Sequence, residues 1–526
     1  MFGCAVVLAV IAGPAFGQVP ADDFPSFEAL TVREPPLVRL PAEEEDEATL
    51  AGQASQAAFG SSGADAPQPA PAAPSGGGDP CANGCPSEKK ANAASAAAAK
   101  SLKGLFYDND FSYLVDPNYS DWHLGDRLKR LAVADCVTLD VGGQFRVRQH
   151  SERNSRLGGL TGLDDDFLLY RTRLYANVQI GECLRAYAEM IDAVSNYETF
   201  GPLGIEENRT DFLNLFGDAR IYQTSSGELW ARLGRQELLY GAERTVSPLD
   251  WANTRRTFEG YKAFWKGETW DVDAFWVRPI QINAEHFDSP DYDQEFMGLY
   301  TTYHGCKNGT LDLYYLRLEN DAADFEFDTL GTRLLGTRGP WLWEVEAAIQ
   351  LGDYQQFDHT ASAWTVGMGR KLQDLPWKPT VWAYYDWASG DDQIGNGYHH
   401  LFPLGHKYLG FMDLFGRRNI ESPNVLVTMS PCEKVKLLLW YYAFFLENQN
   451  DVPYTLAMTP FNPANAPASA YLGQEFDLIT TWQISTRTNL LFGYSHFFAG
   501  DYYRNTPGVP HDGDADFFYT QFALDF

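Results

Sequence analysis

The stretch FLLYRTRLYANVQI, Phe167–Ile180, decides how this chain is read. Taken at every second position it separates into two sets. Leu169, Arg171, Arg173, Tyr175, Asn177 and Gln179 form one; Tyr170, Thr172, Leu174, Ala176, Val178 and Ile180 form the other. Successive side chains of a strand point to opposite faces. The stretch is therefore a strand with one polar, cationic face and one almost wholly apolar face. In a soluble sandwich the apolar face would look inward. In a membrane barrel it looks out to lipid and the arginines line a lumen.

The rest of the chain chooses between these. From about Val137 onward some 18 strand-like segments follow one another, an even number, as bacterial barrels have. Short turns alternate with long connections. The turns are 180–184, 224–227, 267–269, 305–308 and 339–340, with two more at Pro431 and Ser485; the long stretches are 151–166, 195–211, 240–256, 390–423 and 448–472. Short periplasmic turns and long external loops are the habit of outer-membrane barrels. The last strand, FFYTQFALDF, puts Phe518, Thr520, Phe522, Leu524 and Phe526 on one face and ends on an aromatic. No repeat of 40 to 50 residues speaks for a propeller. The fold class expected is all-β: a single antiparallel transmembrane β-barrel of about 18 strands.

Ahead of the barrel, residues 1–17 read as a secretory signal, an apolar run closing on Ala15-Phe16-Gly17. Residues 18–95 are low in complexity, with an acidic run at 43–47 and an Ala/Pro/Gly-rich tract, a composition that buries too little apolar surface to fold alone. Residues 96–134 read as a short helix and an irregular periplasmic lead-in, and 135–526 as the barrel. The chain carries 40 basic and 70 acidic residues, net −30, which argues against nucleic acid, whose binding needs a basic footprint. Aromatics make up 14%, which suits sheets and interfacial girdles.

Six cysteines follow the signal. Cys81 and Cys85 share a Gly/Pro-rich loop and suit a local disulfide; Cys136, Cys183, Cys306 and Cys432 each directly precede a strand that follows a short turn and would mark the periplasmic rim. Neither catalytic residues nor a bound metal or cofactor is expected. The chain has no Gly-x-Ser-x-Gly elbow, His-Glu-x-x-His or P-loop. Asp512, Asp514 and Asp516 alternate in a loop and could hold calcium, but a solvated acidic loop is the simpler reading; His399, His400 and His406 lie in a long loop and could bind metal, but exposed loop histidines are the simpler reading.

What recurs on the lumen face is arginine. Arg146 and Arg148 share a face with Asp140, Gln144 and His150. Arg171 and Arg173 follow, then Arg185 with Tyr187 and Glu189, Arg220 with Asp218 and Tyr222, and Arg232 with Trp230 and Gln236. Guanidinium grips carboxylate through two parallel hydrogen bonds, so such a wall offers a linear polyanion a ladder of sites. Weak sites in series favour passage. Pairing with lumen acids such as Asp140, Glu189, Asp218, Glu344 and Glu346 would give the same arginines a purely structural role.

The barrel region, about 135–526, resembles the alginate export family of outer-membrane β-barrels. The stretches that carry the likeness are LDVGGQFRVR (139–148), RLGRQELLYGAERTVSPLDWANTRRTFEGYK (232–262), GPWLWEVEAAIQLGDY (339–354), YDWASGDD (385–392), HHLFPLGHKYLGFMDLFGRRNI (399–420), GQEFDLITTW (473–482) and FGYSHFFAGDYY (492–503). The resemblance implies an 18-stranded pore with an arginine-rich lumen passing an anionic uronate polymer. It implies Arg146, Arg148, Arg171, Arg173, Arg232, Arg235, Arg255 and Arg256 as the path, the last two where a long loop re-enters a strand. The acidic extension and the rim cysteines depart from the family pattern, so membership speaks for the pore more than for the cargo.

The expectation is thus a non-enzymatic channel in the outer membrane of a Gram-negative-type bacterium, with both termini periplasmic. It would contact lipid and pass an acidic polysaccharide or small anions. The N-terminal segment would meet periplasmic secretion or cell-wall components. A general small-anion porin and a secreted carbohydrate-active enzyme are the alternatives.

Overall fold

The computed structural model describes residues 97–526 except Asn118. The signal, the low-complexity segment and the Cys81–Cys85 pair lie outside the described residues. Numbered along the chain, the barrel strands are β1 (Val137–Arg153), β2 (Asp165–Ile180), β3 (Leu184–Asn196), β4 (Asn208–Thr224), β5 (Gly227–Gln236), β6 (Phe258–Gly267), β7 (Trp270–Gln281), β8 (Gln294–Tyr303) and β9 (Gly309–Asn320). They continue with β10 (Phe325–Arg338), β11 (Trp341–Tyr354), β12 (Phe357–Lys371), β13 (Thr380–Ala388), β14 (Ile420–Cys432), β15 (Val435–Phe445), β16 (Tyr471–Ser485), β17 (Thr488–Ala499) and β18 (Ala515–Asp525). Each pairs antiparallel with the next, and β1 pairs with β18 from Gln144↔Asp525 to Arg153↔Asp516. The 18 strands therefore close into a barrel, the arrangement that leaves no sheet edge unpaired in lipid.

The alternation read from Phe167–Ile180 holds. Phe167, Leu169, Arg171, Arg173 and Tyr175 are buried, while Leu174 is 49% exposed on the outer face. The pattern repeats around the wall, with Leu233, Tyr261, Met368, Phe492 and Phe518 outward. Exposed Trp270, Trp341 and Trp482 stand near the short turns, and Phe498 and Phe518 near the long loops. These are the two aromatic girdles a bilayer-spanning wall needs. Among the described residues no helix is long and apolar enough to cross a membrane.

The short turns lie at one end, where β1 begins and β18 finishes. Two connections at the opposite end are shorter than the sequence alternation suggests: 321–324 joins β9 to β10, and 355–356 joins β11 to β12. The rim is low there. Cys136 and Cys183 directly precede strands as expected, whereas Cys306 lies within the turn before β9 and Cys432 closes β14. Cys136, Cys183 and Cys432 are exposed free thiols.

The long loops turn inward. Residues 237–257, between β5 and β6, carry Val246 and Trp251 at 0% and 1% exposure. They meet the loop 389–419 through a parallel bridge, Val246↔Phe402, flanked by Ser247 N donating to Phe402 O (2.9 Å) and Phe402 N to Thr245 O (2.9 Å). From the short-turn side residues 101–113 also enter the bore. Their buried Phe106 and Tyr107 pack on Tyr175, Tyr187 and Phe216 of the inner wall.

The two faces predict opposite tolerance to charge. Leu174→Arg, in the middle of β2 on the outer face, should destabilise the folded barrel by about 2–4 kcal/mol in lipid, as arginine does near the bilayer midplane. Urea titration in lipid vesicles, followed by the band shift of unboiled samples on electrophoresis, measures it. A midpoint equal to wild type would refute the outward assignment.

Candidate functional site in the barrel lumen

Inner-wall arginines and the oxygens around them make the site. On β1 and β2, Arg146, Arg148, Arg171 and Arg173 are each no more than 2% exposed. Facing register pairs Arg146 with Arg171 and Gln144 with Arg173, so one small area of wall holds all four guanidiniums. Loop 237–257 lies against it. Arg146 donates to Asp250 O (2.8 Å) and Asn253 Oδ1 (3.2 Å). Arg148 donates to Gln521 Oε1 and Trp251 O (both 2.9 Å) and lies 3.6 Å from the Trp251 ring centre. Arg171 meets the Asp250 carboxylate at 2.5 Å and Gln144 Oε1 at 2.8 Å. Arg173 pairs with Glu189 at 2.6 Å. Arg255, on the loop itself, bridges Asp250 and Glu237.

The other candidates are distributed. Arg185 and Arg232 share Asp218, each through Nε at 2.8 Å. Arg220 stands toward the short-turn mouth, with Glu228 at 2.8 Å and Glu182 at 3.4 Å. Arg256 is buried in the loop and donates to Pro403 O (3.2 Å). Arg235 is set apart: an odd number of positions from Arg232, it is out of phase with the inner wall. It bonds Phe212 O (3.1 Å), Asp288 O (3.0 Å) and Glu259 (3.4 Å) in a cluster at the long-loop rim. The resemblance that singled it out carried no information about its phase.

Sequence reading missed three cations on the far wall and its loops. Arg244 pairs with Glu344 and Glu346 (both 2.8 Å), Arg333 with Glu344 (2.9 Å) and Asp312 (3.3 Å), and Arg417 with Asp386 (2.8 Å). The inward acids were visible in the strand pattern; their partners, two of them on loops, were not. The histidines do not converge, and they are not exposed as expected: His400 and His406 are buried, because the long loop that carries them folds into the bore. His406 bonds Asp413 (2.8 Å) and stacks on Trp251 at 3.7 Å, while His400 faces Leu456 O (3.1 Å). Among the described residues no three His, Cys, Asp or Glu side chains group as a metal site, and Asp514 and Asp516 serve Ala499 N (2.9 Å) and Tyr494 Oη (2.6 Å).

Residues of loop 237–257 line two cavities. One of about 580 Å³, toward the long-loop end, is lined by Arg256, Arg418, Phe325, Phe327, His399 and Phe402. The other, about 200 Å³, lies toward the short turns between Tyr107, Arg232, Tyr240, Lys262 and Asp273. The alginate export family model matches residues 137–513. The chain belongs to the alginate export family. No curated protein matches the sequence. Among solved structures, Acinetobacter baumannii OccAB1 is similar at 11% identity and a TM-score of 0.52, covering 76% of this chain and 98% of that one. Pseudomonas aeruginosa OprD aligns at 10% identity and 0.48, covering 73% and 94%. A BenF-like porin from Pseudomonas fluorescens Pf-5 aligns at 10% and 0.49, covering 74% and 99%. The family and the barrel make this chain an outer-membrane channel.

Asp250 is the centre of the loop's attachment. Its partial burial pushes the carboxyl up, but Arg171, Arg255 and Arg146 outweigh that and hold it well below the usual carboxylate range. A depressed folded-state pKa gives stability that is complete above the unfolded value, about 4, and is lost only as pH falls toward the folded value. Loop protection against hydrogen exchange should therefore persist on acidification to about pH 4. Asp250→Asn should weaken the seat at neutral pH by about 1.5–3 kcal/mol, the range for hydrogen bonds to charged groups. It would be seen as faster exchange across 238–256. Unchanged exchange in the variant would show that the loop is held elsewhere.

Proposed function

We propose that the channel conducts an anionic solute along its guanidinium-bearing wall and that an acidic, alginate-like polysaccharide is the cargo class it suits. The short turns then face the periplasm and the long loops the exterior, the arrangement usual for such barrels. One observation carries the reading. Arg146 and Arg148 are buried, yet among the described residues neither forms an ion pair: their partners are backbone carbonyls, Asn253 and Gln521. Arg146 Nε and Arg148 Nη2 find no hydrogen-bond partner there. Buried charge is ordinarily paired, so these two guanidiniums leave electrostatic room for a carboxylate. Arg171, Arg173, Arg185, Arg220 and Arg232 extend the cationic wall, and Arg255 and Arg256 add the charge of the loop that lies against it. No chemical step is required of any of them.

In planar bilayers under a salt gradient, the wild-type reversal potential should favour chloride. Arg146→Gln combined with Arg148→Gln should lower the anion-to-cation permeability ratio severalfold. A reversal potential unchanged in the double variant would refute the reading. Uronate oligomers added at micromolar concentration should block the wild-type current; conduction of chloride without such block would instead indicate a general small-anion porin.

A further inference from the structure

The lead-in ahead of the barrel does more than arrive at β1. Residues 101–113 cross the short-turn mouth from one wall to the other. At one side Arg487, in the turn between β16 and β17, donates to Ser101 Oγ (3.0 Å) and Tyr113 Oη (2.8 Å). Tyr113 in turn donates to Asp126 (2.7 Å). At the other side, the aromatic pair Phe106-Tyr107 enters the bore. Tyr107 packs edge-on against Tyr187 and Phe216, at 5.8 and 5.2 Å between ring centres, and its hydroxyl donates to Glu237 O of the inward loop (2.7 Å).

Four inner arginines are engaged by this short segment. Arg173 lies 3.8 Å from the Phe106 ring centre and Arg232 4.4 Å from that of Tyr107. Arg185 donates to Tyr107 O (2.7 Å) and Arg255 to Gly104 O (3.3 Å). The rings offer guanidiniums their faces and the backbone offers carbonyls, while Asp108 of the same segment places a carboxylate in the cavity that Arg232 lines. Leu105, Phe106, Tyr107, Phe111 and Tyr113 are all buried, although they belong to no barrel strand.

We infer that residues 101–113 are a built-in plug: an autoinhibitory strap that narrows the short-turn mouth, masks Arg173, Arg185, Arg232 and Arg255, and must withdraw before the bore conducts fully. Its regular structure consists of two short 3-10 turns, 106–108 and 112–115, joined by irregular backbone. Such a segment can leave without breaking a barrel strand pair. The inference rests on the channel reading, but its readout is independent of the sign of the conducted ion.

Two variants compared with the wild type test it in planar bilayers by total conductance, with barrel folding checked by the electrophoretic band shift. The double variant Phe106→Ala, Tyr107→Ala keeps the chain length and removes the rings. A deletion of 97–115 removes the strap. A synthetic peptide of residues 101–115 is then added to each chamber in turn against the deletion protein. The expected result is a severalfold rise in conductance for both variants, and a fall on peptide addition from one side only. If the deletion protein does not fold, the double variant decides alone. Folded variants that conduct as wild type does would overturn the plug. A conductance rise with cation preference would keep the plug and overturn the anion assignment instead.

Discussion

A guanidinium removed from water must be met by oxygen, and the interior of this barrel is organised by that requirement. The cost of leaving a buried ion unanswered is several kcal/mol, and it cannot be evaded by deprotonation because arginine keeps its proton. Two kinds of answer are present. Arg173 with Glu189, Arg232 with Asp218 and Arg333 with Glu344 are answered by carboxylates on adjoining strands. Arg146 and Arg148 are answered by carbonyls of a loop. The first kind builds the wall. The second determines where the loops lie, since a loop that supplies main-chain oxygen to a fixed guanidinium is itself fixed.

This explains why a chain of net charge −30 carries a cationic face at all. The excess acid does not lie uniformly around the bore. Much of the acid on the inner wall is committed to pairs, so the wall area of β1 and β2 remains locally positive while the molecule is strongly negative. Global charge therefore says little about the lumen, whose field is set by neighbours within a few ångströms in a low-dielectric surrounding.

The strand period was legible because it is local. The polar and apolar sets of Phe167–Ile180 occupy the inner and outer faces as the alternation requires, and the recurring short turns marked one rim. The short connections at 321–324 and 355–356 were not legible, because nothing in their flanking residues distinguishes a low rim from a high one. The partners of the arginines were legible only in part. Asp218 lies one strand from Arg232 and could be anticipated from alternation. Asp250 is 79 residues from Arg171, and no periodicity specifies that a loop will fold back to reach it. Phe106 and Tyr107 sat in a stretch that read as irregular. Their role depends on a bore that exists only after all the strands have closed.

The distinction between carboxylate and carbonyl partners has a kinetic consequence for the proposed conduction. A solute carboxylate exchanging for a protein carboxylate gains no charge-assisted contact and must expel a tethered anion. Exchanging for a carbonyl or an aromatic face, it replaces a neutral partner by a charged one, and such hydrogen bonds are roughly twice as strong. The guanidiniums of Arg146 and Arg148, met by carbonyls, are thus the ones an anion can claim at least cost. The acid-paired arginines then act as fixed background charge rather than as stepping sites. A path built this way holds its cargo weakly at most positions and firmly at few, the condition under which a channel binds well enough to select and loosely enough to release.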